Sequence, residues 1–328
     1  MGARLSLGDV ERARAVLVRH LRETPLRESL AVPGTDVRLK LECWQPTGSF
    51  KVRGATHLLS SLDSAERRRG VVAASAGNHA LGVAFAASCL GGEVSVTLFV
   101  PRTAPRAKVE KLRRFPVDVR ETGETYDDAV DAAREFERRT GATFVHAFED
   151  LRTAAGQGTV GLEILDACPG AATILVPVGG GGLIAGIATA VKARAPGVRV
   201  VAVQPSASPA LRESLRLGRA LLTYPAGPTL ADGLSGGIGE IAFDHRDLVD
   251  EVVTVSEEEI EDAMVALLAA DQVVAEASGA VGIAALRSGK VAGAGQGPAV
   301  AVITGGNVDA RVLARLLAAR HPDAGAPR

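Results

Sequence analysis

A lysine acts as a nucleophile only as the free amine, and the stretch Lys40 to Ala55 (Lys-Leu-Glu-Cys-Trp-Gln-Pro-Thr-Gly-Ser-Phe-Lys-Val-Arg-Gly-Ala) surrounds Lys51 with the means to keep it so. Ser49 is a good N-cap residue, which places Phe50 and Lys51 in the first turn of a helix. Unpaired backbone N–H groups there create a positive potential that disfavours an ammonium. Partial burial beside Phe50 works in the same direction, so Lys51 is a candidate for making a Schiff base with a carbonyl. Only six lysines (Lys40, Lys51, Lys108, Lys111, Lys192, Lys290) are found among 37 lysines and arginines, so arginine supplies most of the positive charge. A lysine in this apolar, glycine-flanked turn is therefore harder to explain as a solubilising residue, although a surface lysine at a helix start is the competing reading.

Three further loops carry chemistry. Ser75-Ala76-Gly77-Asn78-His79 leaves one strand and opens a helix, where successive N–H groups suit a carboxylate and Asn78 offers a directed amide. A tight turn with an N-cap, and a packed core His79, are the alternatives. Gly179-Gly180-Gly181-Gly182 weakens any regular element, so its backbone must come close to something, and a phosphate is the natural guest. No Gly-Lys-Ser/Thr follows, which excludes a nucleotide P-loop, and Gln204 stands where a dinucleotide site would place an acid. Thr304-Gly305-Gly306-Asn307 ends the apolar run Ala299 to Ile303, and a hydroxyl at a strand tip, with glycines clearing space beside it, can bond a ring nitrogen without carrying charge. An amine nucleophile, a phosphate cradle, a carboxylate binder and a ring-nitrogen partner are together what pyridoxal 5′-phosphate and an amino acid require.

The elements that must position these loops alternate. Val37, Leu39 and Leu41 alternate with Arg38 and Lys40 as a half-buried strand, and Leu7 to Arg22 has helical spacing. Strands are expected at Val71 to Ala74, Val94 to Val100, Val117 to Arg120 and Thr143 to His146, separated by helices Asn78 to Cys89, Arg106 to Arg114 and Thr125 to Thr140. A second series follows: helix Leu151 to Ala167, strand Thr173 to Val178, helix Leu183 to Arg194, strand Val198 to Gln204, then a looser stretch to Gly239. Strand Glu251 to Val255, helices Glu257 to Ala270 and Ala277 to Ser288, strand Ala299 to Thr304 and helix Ala310 to Arg320 complete it. This alternation predicts an α/β protein of two interlocked doubly wound domains, with the site in the cleft at the strands' carboxyl ends. The division expected is residues 1–52 and 147–328 for a large cofactor-binding domain and 53–146 for a small one carrying the Ser75–His79 loop.

Composition bounds the partners. A chain of 328 residues, 47% hydrophobic and 23% charged, is long enough for two such domains. A net charge of −1 and 3% aromatic residues give no footprint for nucleic acid or an anionic membrane. Cys43, Cys89 and Cys168 lie far apart in no metal-ligand spacing, which indicates a reducing compartment without disulfides. Leu7 to Leu21 carries charges throughout, unlike a signal segment, and no apolar run reaches the roughly eighteen residues of a spanning helix. The cytoplasm is the expected location.

From about Leu5 to Asp309 the sequence resembles the fold-type-II pyridoxal-phosphate enzymes, specifically the threonine/serine dehydratase and serine racemase group. The ordered Gly-Ser-Phe-Lys, Ser-x-Gly-Asn-His, tetraglycine and Gly-Gly-Asn motifs carry the resemblance, with Ala155-Gly156-Gln157-Gly158-Thr159 between them. It implies that Lys51 holds the cofactor as a Schiff base, that Phe50 packs on its ring, and that Asn78 bonds the ring hydroxyl. It further implies that Gly179, Gly180, Gly181 and Gly182 bind the phosphate and Thr304 the pyridine nitrogen. Ser75, Ala76, Gly77, Asn78 and His79 would form the loop that holds the substrate carboxylate.

The implied activity is dehydration and deamination of L-threonine, L-serine or a related β-hydroxy amino acid to a 2-oxo acid and ammonia, by a homodimer acting on a small-molecule substrate. Serine racemisation, β-replacement and a non-catalytic binding protein are the alternatives. A neutral hydroxyl at the ring nitrogen fits elimination, and Lys51 is the base for the α-proton. Several positions depart from the group. Thr304 replaces the more usual serine. Gln204 and Ala210 replace acids that help bind a divalent cation, so no metal site is expected. Leu81, Trp44 and Ala277-Ser278 are also unusual. The short tail after Asp309 leaves no room for the regulatory domain of biosynthetic threonine dehydratases, and no strong isoleucine inhibition is expected.

Overall fold

The computed structural model describes residues 4–104 and 106–320. The short apolar runs become ten strands: β1 Leu26–Glu28, β2 Val37–Lys40, β3 Val71–Ala74, β4 Val96–Val100, β5 Asp118–Glu121, β6 Thr143–Phe144, β7 Thr173–Pro177, β8 Arg199–Pro205, β9 Glu251–Val255 and β10 Ala299–Val302. The helices are α1 Leu7–Leu17, α2 Lys51–Ser60, α3 Ser64–Arg69, α4 Asn78–Cys89, α5 Arg106–Leu112, α6 Tyr126–Thr140, α7 Leu151–Ala167, α8 Gly182–Arg194, α9 Ala210–Leu217, α10 Glu240–Asp244, α11 Glu257–Asp271, α12 Ala277–Arg287 and α13 Ala310–Arg320. Six strands form one sheet in the order β1-β2-β10-β7-β8-β9, and four form a second in the order β5-β4-β3-β6. Every pairing is parallel except that of β1 with β2.

Parallel sheets need helices on both faces, and the core follows that demand. Leu39, Leu175 and Val201 face α11 and α12, while Ile174, Val200 and Val302 face α7 and α8. In the smaller sheet Val71, Ala73 and Leu98 pack under α2 and α4, whereas Val72, Ala74 and Phe99 pack under α6. This is an α/β fold of two mainly parallel sheets. No helix among the described residues is long and apolar enough to cross a membrane.

Local expectations failed in places, each for a physical reason. The alternation in β2 predicted that Lys40 faces solvent, yet it is 2% exposed. Its ammonium donates to Glu163 and to the Thr24 carbonyl, and Glu163 shares Arg53 with Glu42. Two cations and two carboxylates thus neutralise one another in the interior and tie β2, α2 and α7 together at the base of Lys51. Burial is tolerated because the charges are paired and hydrogen-bonded. α1 stops at Leu17, short of the predicted Arg22, and within the stretch read as loose, α9 forms on the α-helical cap supplied by Gln204. Gln204 Oε1 accepts the Leu211 and Arg212 N–H groups, and its Nε2 donates to Val178 O. α3 was not foreseen, although Asp63 and Glu66 make a full capping box for it.

Candidate active site

The lysine loop is built by long-range pairing. Ser49 was expected to cap α2, but the cap position is Phe50, without a side-chain bond. Ser49 instead forms an antiparallel bridge with Gly305, and Phe50 N donates to Thr304 O at 3.0 Å. These tertiary bonds outrank the local cap and leave the Ser49 hydroxyl buried without a partner among the described residues. Lys51 lies in the first turn of α2, as expected, though as its first residue, and its Nζ donates to Ala147 O at 3.0 Å. Burial lowers its pKa to about 8, against the opposing pull of Glu276.

α4 brings the second loop to this point. A Cβ on Gly82 would lie 3.0 Å from the Lys51 carbonyl, so only glycine lets α4 approach α2 so closely. Asn78 opens α4, and no side chain caps it, which leaves its first N–H groups facing outward. Ser75 Oγ accepts the Gly77 N–H at 3.1 Å and still has its own proton to donate. His79 is buried, with Nε2 bonded to Val145 O at 2.8 Å.

The tetraglycine loop leads into α8, whose N-terminus likewise has no side-chain cap. A Cβ on Gly180 would sit 2.3 Å from the Phe148 ring, one on Gly182 3.0 Å from Phe148 Cα, and one on Gly181 2.3 Å from the Ala242 methyl. The glycines are demanded by these neighbours, and the result is a row of bare amides at the start of a thirteen-residue helix. Such an end fits a phosphate dianion by both hydrogen bonding and helix dipole. The site therefore suits pyridoxal phosphate: an amine with a depressed pKa, an uncapped helix end, and a buried uncharged Thr304 at the tip of β10.

Sequence reasoning missed four contributors. Ala147 accepts from Lys51, and Phe148 fills the space beside the glycines. His146 holds that turn, because its Nδ1 accepts the N–H groups of Phe148 and Glu149. Glu276, the residue before the unusual Ala277-Ser278, accepts from Asn78 Nδ2 at 2.7 Å and donates its own N–H to Gly305 O. Burial, reinforced by Asp232, raises the Glu276 pKa to about 7, while Asn78 and Lys108 oppose the rise. His146, Ala147 and Phe148 follow a short strand without a motif and Glu276 stands alone before α12, so no local pattern marked these four. Among the described residues, no group of three or more His, Cys, Asp or Glu side chains is placed to hold a metal ion.

Two histidines beside the site, His79 buried and His146 half-buried, make a stability prediction. Burial, and then the nearby Lys51 charge, lowers the His79 pKa to about 3; burial and then Arg134 lower that of His146 to about 4. Each stays neutral in the fold but protonates when unfolded, so its contribution is full above about pH 6.5 and is lost as pH falls toward the folded value. Between pH 7 and 5 His79 alone should remove about 2 kcal/mol of unfolding free energy. Urea unfolding at both pH values checks this, and an equal loss in His79→Gln would contradict it.

Residues 17–305 match the family of pyridoxal-phosphate dependent enzymes, and the chain belongs to that family. It is 44% identical over 318 residues to the L-threonine ammonia-lyase of Thermotoga maritima, covering 95% of this chain and 78% of the relative. It is 40% identical over 313 residues to a catabolic L-threonine dehydratase of Staphylococcus aureus, covering 93% and 90%. Among solved structures, maize serine racemase superposes with a TM-score of 0.90 at 33% identity over 98% of this chain and 99% of that one. The processed threonine deaminase isoform 2 of Solanum lycopersicum gives 0.87 at 32% identity over 94% and 86%.

Proposed function

We propose that the protein is an ammonia-lyase that converts L-threonine or L-serine, or a related β-hydroxy amino acid, to a 2-oxo acid and ammonia. The observation that carries this is the convergence on one depressed-pKa amine, Lys51, of two uncapped helix N-termini and an uncharged hydroxyl. The N–H groups at the start of α8, from Gly179 to Gly182, hold the cofactor phosphate, and Phe50 packs on the ring. Thr304 bonds the ring nitrogen, and Asn78 the ring hydroxyl. Ser75, Ala76, Gly77, Asn78 and His79 make the loop that receives the substrate carboxylate, with the α4 dipole favouring its charge.

When bound, the cofactor supplies a sink for the electron pair released at the substrate α-carbon. Lys51, whose pKa of about 8 leaves a substantial fraction as free amine near neutral pH, would take the α-proton of the bound substrate. Thr304, a neutral hydroxyl, would not keep the ring nitrogen protonated, so the sink would be weak, which favours loss of the β-hydroxyl over transamination. Residues 1–52 and 147–328 act as the cofactor domain and 53–146 as the small domain, in keeping with the two sheets drawn from those stretches. Free Cys43, Cys89 and Cys168 support a cytoplasmic location. A homodimer is the assembly expected of the protein, and light scattering in solution would test it.

Purified protein loaded with pyridoxal 5′-phosphate should release 2-oxobutanoate from L-threonine and pyruvate from L-serine, each with one equivalent of ammonia. A 2-oxo acid assay measures both. No product from either amino acid would redirect the assignment to β-replacement or to a bulkier substrate.

A further inference from the structure

The Asn78 carboxamide is held at both ends by groups that allow it one orientation. Lys111 Nζ can only donate, so the Asn307 oxygen must face it, at 2.7 Å. The Thr47 carbonyl can only accept, so the Asn307 nitrogen must face that, at 2.8 Å. The second hydrogen on that nitrogen reaches Asn78 Oδ1 at 2.7 Å, which obliges Asn78 to present its oxygen to Asn307. Asn78 Nδ2 is thereby turned to Glu276 Oε1 at 2.7 Å, and the second of its two hydrogens meets no acceptor among the described residues.

Gly305 belongs to the same arrangement. A Cβ there would lie 2.1 Å from Glu276 Oε1 and 3.3 Å from Asn78 Nδ2. The glycine after Thr304 was read as clearing space beside the hydroxyl, and the space is occupied by the Glu276 carboxylate. Gly305 also accepts the Glu276 N–H at 3.0 Å and bridges to Ser49, so the carboxylate is registered against the lysine loop.

We propose that Lys111, Asn307 and Glu276 are positioning residues that fix the Asn78 carboxamide so that its one free N–H points at the cofactor's ring oxygen. This rests on the reading of Lys51 and Asn78 given above. The consequence is chemical. A fixed donor stabilises that oxygen in its ionised form, whereas a flipped carboxamide would present a carbonyl oxygen and repel it. The chain of constraint runs from an exposed lysine on α5 to the cofactor and crosses between the two sheets three times, at Lys111 to Asn307, at Asn307 to Asn78 and at Asn78 to Glu276.

The test uses the visible absorption band of the full-length protein loaded with pyridoxal 5′-phosphate, titrated with pH, together with the cofactor dissociation constant. Asn307→Asp places a carboxylate opposite Asn78 Oδ1 and forces the flip. The midpoint of the band's pH dependence should rise by about one unit, and the dissociation constant about tenfold. Glu276→Leu should move both readouts in the same direction, while Glu276→Gln, whose carbonyl still accepts from Asn78, should restore them. Lys111→Met changes an exposed side chain and leaves the core intact, so it gives the reading even if the other variants do not fold. Its expected shift is smaller and of the same sign. Wild-type midpoint and dissociation constant in Lys111→Met and in every folded variant of Asn307 and Glu276 would overturn the proposal. A failure of the underlying reading is distinct, because it would show as a band that survives Lys51→Ala.

Discussion

Lys51→Ala should lose turnover of L-threonine by at least about 10⁴-fold, together with the visible absorption of the lysine-bound cofactor. Both losses follow from one amine, which the reaction needs first as the group that holds the cofactor and then as the base at the α-carbon. The fold should survive, since Lys51 bonds only the Ala147 carbonyl while the ion network beneath it is carried by Arg53, Lys40, Glu42 and Glu163. The same amine sets the pH dependence of loading. Burial holds its pKa near about 8, below the ordinary lysine value, so the reactive fraction at pH 7.5 is on the order of 10²-fold larger than for an exposed lysine. Capture of pyridoxal 5′-phosphate by the apoprotein should therefore rise about tenfold per pH unit below that pKa and level off above it. Stopped-flow absorbance across pH 6 to 10 reads this directly. A rate still climbing steeply at pH 10 would mean that the site does not depress the lysine, and full activity in Lys51→Ala would remove it from the mechanism.

What the sequence disclosed was whatever local pattern can encode. The four loops sit where an apolar strand gives way to a helical period, and a tetraglycine or a Ser-x-Gly-Asn-His run at such a junction marks itself. The parallel sheets were legible for the same reason, because β3, β7 and β8 each hold an apolar run of four residues between helical segments. What stayed hidden depends on partners far along the chain. Ser49 reads as a helix cap until Gly305, 256 positions on, pairs with its backbone. Lys40 reads as solvent-facing until Glu163 comes to meet it. The role of Glu276 needs Asn78, Asn307 and Gly305 at once, and no window of sequence contains all four. Short elements escaped too: β1 has three residues, and α9 lies in a stretch rich in Gly, Pro and Ser where a buried Gln204 supplies the cap.

Ala76→Ser should convert a protein that makes almost no D-serine from L-serine into one that makes it readily, with a gain of at least about tenfold in racemisation. Racemisation requires a second acid/base on the face of the cofactor opposite Lys51, so that a proton taken from one side can be returned on the other. In the serine racemases, which this chain resembles in motif and in fold, that group is the serine immediately before the Gly-Asn of the carboxylate loop. Here that position is Ala76, whose methyl group transfers no proton. Ser75 is the nearest hydroxyl in the chain, but it is held in a turn by the Gly77 N–H at 3.1 Å, one residue away from where the proton is needed. Likeness of fold cannot decide between the two reactions, because both use the same sheets, the same lysine and the same phosphate cradle. The single side chain at position 76 can. In the wild-type protein pyruvate should exceed D-serine by about a hundredfold, and chiral chromatography of L-serine incubations measures both. D-serine formed at a rate comparable with pyruvate would show that Ser75 or a water supplies the second proton, and the assignment as a lyase would give way to a racemase.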